Sequence, residues 1–258
     1  PGVTVEVAED VSVTVNGHLD AVGEAGNEVV ITSSKQSPTA GSWGTIELSG
    51  PYSRVHRLQH TTIEYGTNGL TLAGGQRLLL DHVEISDAAE AGIRGQTSSG
   101  FAPSGVVVAR QSSLHDNQFG ILGADEELRI EQTRIRDNDR SGSKLSNSLN
   151  VVDVTVRDSV IARNDIGINL ESSVDQHNRG GQVTGVVMRN TTISENAGLG
   201  VRIFGDRITN VVFDRLEIRS NGGSGVQLQD TGRAGGSQPS RNIRSEERRV
   251  GKECIVKC

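Results

Sequence analysis

Three aspartates carry the clearest chemical possibility in this sequence. Asp87, Asp116 and Asp137 each follow a short apolar stretch and directly precede a turn residue (Ala88, Asn117 and Asn138). If those stretches stack as neighbouring strands, the three carboxylates come about 4.8 Å apart. Like charges that close raise a pKa or recruit a cation. Two chemistries follow: Ca2+ held by oxygen ligands, or an acid/base pair acting on a glycan. The competing reading is ordinary turn chemistry, because Asp favours such positions for backbone reasons. His177, beside Asp175 and Arg179 in the polar stretch 171–185, is an isolated acid/base candidate, although a loop histidine is commonly no more than polar. A second set lies two residues after a recurring glycine: Arg94, Lys144, Asn169, Arg202 and Gln227, with Thr71 and Leu122 in the same column. Its cations and amides suit an acidic polysaccharide; a solvated sheet face would look the same.

The elements that position these residues are repeats. The last aliphatic before each turn falls at Ile63, Ile85, Leu114, Ile135, Ile161, Ile193 and Ile218. Five residues earlier come Leu58, Leu80, Ala109, Ile130, Val156, Met188 and Phe213, and two before those His56, Leu78, Val107, Leu128, Val154, Val186 and Val211. The turn column reads Gly66, Ala88, Asn117, Asn138, Asn164, Asn196 and Asn221. A glycine follows at 69, 92, Gly120, 142, Gly167, Gly200 and Gly225, on average about 26 residues apart. A repeat of that length holding only short apolar stretches fits one coil of a β-solenoid. Asn is expected at the turn because it tolerates the left-handed conformation and bonds locally or to its stacked equivalent. Gly is expected where positive φ bends the chain. Upstream, Val3, Val5 and Val7, then Val11, Val13 and Val15, alternate with polar residues, the period of strands with one buried face. No sustained helical period occurs.

Composition agrees. Aromatics make up 3% of the 258 residues and hydrophobics 34%, which suits a narrow core of stacked Val, Ile and Leu. A net charge of −6, spread along the chain, excludes a basic nucleic-acid footprint. No apolar run approaches the ~18 residues of a membrane helix. The chain opens at Pro1 within an apparent strand and its single Met is Met188, so it reads as a segment of a longer protein. Residues 244–258 resemble translated sequencing adapter and hold both cysteines, Cys254 and Cys258. The remainder has no disulfide, thiolate metal site or thiol nucleophile. The expected organisation is a solenoid over 1–228, a Gly/Ser-rich polar tail over 229–243 and the foreign stretch 244–258.

The Asn-x-x-Gly-Ile turns at Asn117 to Ile121 and Asn164 to Ile168, with P-G-V-T-V-E-V and S-W-G-T-I-E-L upstream, resemble the parallel β-helix family, the pectate-lyase-like superfamily. The resemblance implies an all-β, right-handed, single-stranded parallel β-helix of about nine coils, from a bacterial protein that is secreted or displayed on the cell surface. It is nearly silent on activity. The Asn-Thr-Asp, Asp-Asp, Gly-His-Gly and Arg-Ile-Lys motifs of polygalacturonase-like hydrolases are missing, as is the Asp-Pro-His of alginate-epimerase-like enzymes. No Ser-His-Asp spacing, phosphate loop or metal-ligand cluster is legible. Phe101, Phe119, Tyr52 and Tyr65 are the aromatics placed to stack on a sugar. Insertions at 96–106, 146–153 and 171–185 leave one corner of the coil and are expected to project from one side, where binding usually lives. The expectation is a non-catalytic segment that binds polysaccharide or serves as adhesin or stalk, with no cofactor. The alternative is a lyase or hydrolase of acidic glycans, and a plain spacer is the third reading.

Overall fold

The computed structural model describes residues 2–51, 54–96, 105–123, 127–147, 150–172, 181–205, 207–230, 241–246, 249–250 and 255–256. Tyr52, Phe101, His177 and, of the three insertions, residues 97–104, 148–149 and 173–180 lie outside the described residues.

Alternating apolar residues and frequent turns give short strands, and the described residues contain no helix. Successive coils lie on one another in register. Leu58 pairs with Leu80, Leu80 with Ala109, Ala109 with Ile130, Ile130 with Val156, Val156 with Met188 and Met188 with Phe213, all in parallel. These are the columns expected from the sequence. An 18-stranded parallel sheet, which we call the wide sheet, wraps one part of the coil. A ten-stranded narrow sheet closes it, taking in Val13–Val15, Ile46–Leu48, Asn68–Leu72, Ala91–Gly95 and onward to Val226–Asp230. The chain makes about eight turns in this solenoid. The three aliphatic columns form one continuous core, with Ile63, Ile85, Ile135 and Ile161 all fully buried. Burial of such a side chain stabilises the fold by about 1.5–3 kcal/mol. His56, the exception among the apolar columns, is fully buried and bonded on both sides. Its Nδ1 accepts the Leu19 N–H at 3.2 Å, and Nε2 lies 3.1 Å from Gln76 Oε1.

Two backbone roles differ from expectation. The left-handed residues are not the asparagines but those just before them: Tyr65, Asp87, Asp116, Asp137, Arg163, Glu195 and Ser220, at φ of 54–65°. Each asparagine then turns inward, and Asn117, Asn138, Asn164 and Asn196 are 1–2% exposed. They form a ladder in which both the backbone N–H and the side-chain N–H of one Asn donate to Oδ1 of the next. For Asn138 to Asn164 the distances are 3.1 and 2.9 Å, and for Asn164 to Asn196 3.0 and 3.1 Å. Asn221 receives the last pair, at 3.0 and 2.8 Å. The glycine column has no positive φ either. A Cβ at Gly120 would stand 2.4 Å from the Gly142 carbonyl oxygen and 2.7 Å from Ile135 Cγ2, so close approach of stacked turns excludes a side chain there.

A second polar ladder was not foreseen. His60, His82, Gln111, Gln132, Asp158, Asn190 and Arg215 form another left-handed corner. The residues that follow it, Ser112, Thr133 and Ser159, are buried and accept the N–H one turn earlier at 3.1–3.3 Å. At the N-terminal end, strands form at Thr4–Val7 and Val13–Val15 as expected. Yet Val3, Val5, Val11 and Val13 are 37–52% exposed, because the described coil stacks on this turn from one side only. At the other end, backbone at Arg241–Glu246, Arg249–Val250 and Ile255–Val256 continues both sheets, so part of the stretch read as foreign pairs with the last coil.

Candidate functional site

The coil offers two surfaces with chemistry. One is the corner where the wide sheet turns past the asparagines. Asp87, Asp116 and Asp137 occupy successive turns of the left-handed column there. Their environments, however, are unlike. Asp137 accepts a two-pronged interaction from Arg163, Nε to Oδ1 at 2.6 Å and Nη2 to Oδ2 at 2.8 Å, and a further bond from Arg136 at 2.6 Å. The Arg163 hydrogen bonds, aided by Arg136 and opposed by partial burial, hold its carboxyl down to about 2. The shift is downward, where repulsion along an acidic row would have raised it: the cation recruited is a guanidinium of this chain. Asp116 Oδ2 lies 2.6 Å from His115 Nδ1, whose Nε2 lies 2.9 Å from Glu84 Oε1. Tyr65 begins the column; burial, then the charges of Glu64 and Asp87, push its phenol up. Below Asp137 an open depression of about 500 Å³ is lined by Asp137, Asp139, Arg163, Asp165 and Glu195. Among the described residues no group of three or more His, Cys, Asp or Glu side chains is arranged to hold a metal ion.

The other surface is the outer face of the narrow sheet. Register places Thr71, Arg94, Leu122, Lys144, Asn169, Arg202 and Gln227 in one row, each paired to the next. The members are not equivalent. Thr71 is buried and bonds the Thr45 hydroxyl at 2.9 Å. Arg94 is tied to Glu90. Arg202 lies 3.9 Å from Glu171 and sets its guanidinium 5.3 Å from the centre of the Phe204 ring. Lys144, half-buried, and Arg202 flank Asn169, which is 4% exposed and whose Oδ1 has no hydrogen-bond partner. An unpaired buried acceptor costs about 1–3 kcal/mol of stability.

Phe204 and Glu171 were missed by sequence reasoning. The signal was present: in V-R-I-F-G, Phe204 shares the outward parity of Arg202, two residues before it. Of the aromatics read as sugar-stacking, Phe119 is 8% exposed with Arg140 over its ring at 5.8 Å, and Tyr65 packs partly against the core.

The wide and narrow sheets, the inward asparagine ladder and the glycine contacts define a coil type that a family model also detects. The model for the right-handed β-helix region matches residues 45–179, just over half of the chain. The chain belongs to the right-handed β-helix family. Its coil is therefore right-handed, as the resemblance implied. No curated protein matches the sequence. Among solved structures, the A-module of mannuronan C-5 epimerase AlgE4 from Azotobacter vinelandii aligns at 16% identity and a TM-score of 0.36 over 86% of this chain. The AlgE6 A-module from the same organism aligns at 17% identity and 0.31 over 92%. The chain spans 65% of the AlgE4 module and 77% of the AlgE6 module. Nothing about activity follows from similarity at this level.

Proposed function

We propose that this β-helix binds an acidic polysaccharide, without acting on it, along the outer face of its narrow sheet. The observation that supports the reading best is the pair of cations Lys144 and Arg202, on either side of Asn169 in one row of the narrow sheet. A glycan lying along the coil axis would set carboxylates against Lys144 and Arg202, on either side of Asn169. Phe204 offers an apolar ring face beside them, Gln227 follows Arg202 in the row, and Arg94 lies on the far side of Leu122 from Lys144. Charge argues against the corner for the same ligand. The depression there is lined by four carboxylates and one guanidinium, and would repel a polyanion. An extracellular or cell-surface location fits this partner.

Native affinity electrophoresis through gels containing a polyuronate tests the reading. The chain is expected to be retarded by the polyuronate, less so as salt rises, and not by a neutral glucan. Equal mobility in all gels would reject it. One observation favours a second reading, a lyase or hydrolase: Asp116 and Glu84 converge on His115, so three titratable groups lie together at one exposed corner, with the carboxylates as the candidate acid and base. Unsaturated-product absorbance or new reducing ends from polyuronates, abolished by Asp116→Asn, would establish that reading instead.

A further inference from the structure

Asn-Gly pairs occur at Asn16-Gly17, Asn68-Gly69 and Asn221-Gly222. The dipeptide is prone to react with itself, because glycine carries no side chain to keep its backbone nitrogen away from the preceding carboxamide. The fold treats the three pairs differently. Asn221 ends the amide ladder: Oδ1 accepts both bonds from Asn196, and Nδ2 donates to the Ile193 carbonyl at 3.2 Å. The Gly222 N–H is held as well, donating to the Asn196 carbonyl at 2.8 Å. Asn68 is buried at the start of the strand Asn68–Leu72. Its Oδ1 accepts the Ala91 N–H at 3.2 Å and its Nδ2 donates to Glu90 at 3.3 Å. Asn16 is different. It leaves the strand Val13–Val15 in a bend and is exposed. Its Oδ1 accepts the Ser49 hydroxyl at 2.9 Å. Among the described residues no hydrogen bond holds its Nδ2 or the Gly17 N–H. A Cβ at Gly17 would meet no atom within 4 Å, so the turn is open on that side.

We propose that Asn16 is a site of spontaneous covalent modification, converting to aspartate and isoaspartate in the folded chain. The Gly17 nitrogen gives up its proton to solvent base and attacks Asn16 Cγ. The Cγ–Nδ2 bond breaks, Nδ2 leaves as ammonia, and a five-membered succinimide closes. Water then opens the ring. Cleavage of the new bond to Cγ leaves aspartate; cleavage of the bond to the Asn16 backbone carbonyl carbon leaves isoaspartate, with the main chain routed through the former side chain. One water is consumed and one ammonia released. Asn68 and Asn221 have the same neighbour but must first lose their hydrogen bonds by local opening. The modification places a new negative charge at the turn after the first strand of the narrow sheet, and does not depend on glycan binding.

Ageing the full chain in mildly alkaline buffer, folded and in urea, tests the proposal, with the peptides of an acidic digest read by mass spectrometry. In the folded chain Asn16 is expected to convert faster than Asn68 and Asn221 by about tenfold or more, since those two react only through opening. In urea the three should convert at similar rates. The Asn16 product should contain both aspartate and isoaspartate. Gly17→Ala, whose methyl group crowds the attacking nitrogen and has room in the fold, should lose most of the conversion at Asn16 while thermal unfolding stays native. Equal rates at the three sites in the folded chain would overturn the proposal. So would an Asn16 that stays intact in the folded chain while it converts in urea, or undiminished conversion in Gly17→Ala.

Discussion

Asp137 sits between two guanidinium groups, and that arrangement sets its chemistry. Its folded pKa of about 2 lies below the ordinary carboxylate value of ~3.9, so the charged form is the stabilised one. The contribution is complete above about pH 4 and is lost as pH falls through about 2. With the carboxylate 26% exposed and Arg163 48% exposed, solvent reduces its worth to about 1–2 kcal/mol. Asp137→Asn should therefore lower the unfolding free energy by about that amount at pH 7. The deficit should close between pH 4 and pH 2, as read by chemical denaturation at each pH. A deficit that persists unchanged at pH 2 would show that the pairing with Arg163 and Arg136 is not its source. The sequence placed Asp137 in its column correctly. It did not reveal that Arg163, in that same column one turn on, cancels the charge that Asp116 and Asp87 were expected to oppose.

At the scale of the strand and corner, most of the fold was legible because one side-chain column maps onto one line of the core. Ile63 through Ile218 and Leu58 through Phe213 stack as their spacing implied. The corners were less legible. Asn and Gly can serve turns through positive φ or through close packing and amide bonding, and sequence alone does not distinguish these. Here the positive φ belongs to the residue before each Asn, while the asparagines exchange amide bonds and the glycines make room for them. The ladder of Ser112, Thr133 and Ser159 escaped notice because hydroxyl residues look like any polar strand position. Ser143 shows the cost of a hydroxyl without such a partner. It stands between Ile121 and Ile168 in a core column, fully buried, and its Oγ is unbonded. Ser143→Ala is expected to raise stability by about 1 kcal/mol, measured by urea denaturation; a loss of stability would mean that the hydroxyl has a partner.

For the molecule as a whole, a rigid stack of coils converts a sequence period into straight lines of side chains on its surface. One line ends in internal ion pairs at Asp137; the other, on the narrow sheet, holds Lys144, Asn169 and Arg202 side by side. The sequence identified both lines, but the choice between them came from three-dimensional detail: the Asp137 pairs, the acidic depression beside them and the two cations flanking Asn169. His177 and residues 173–180 around it fall outside the described residues and do not enter that choice. The decisive measurement is calorimetric binding of an oligouronate to the native chain and to a Lys144→Glu, Arg202→Glu double variant. The expected result is salt-sensitive binding by the native chain and a loss of about a hundredfold or more in the variant, each reversed charge removing at least 1.4 kcal/mol, a factor of ten. Equal affinity in the two proteins, with both folded, would contradict a glycan-binding face on the narrow sheet.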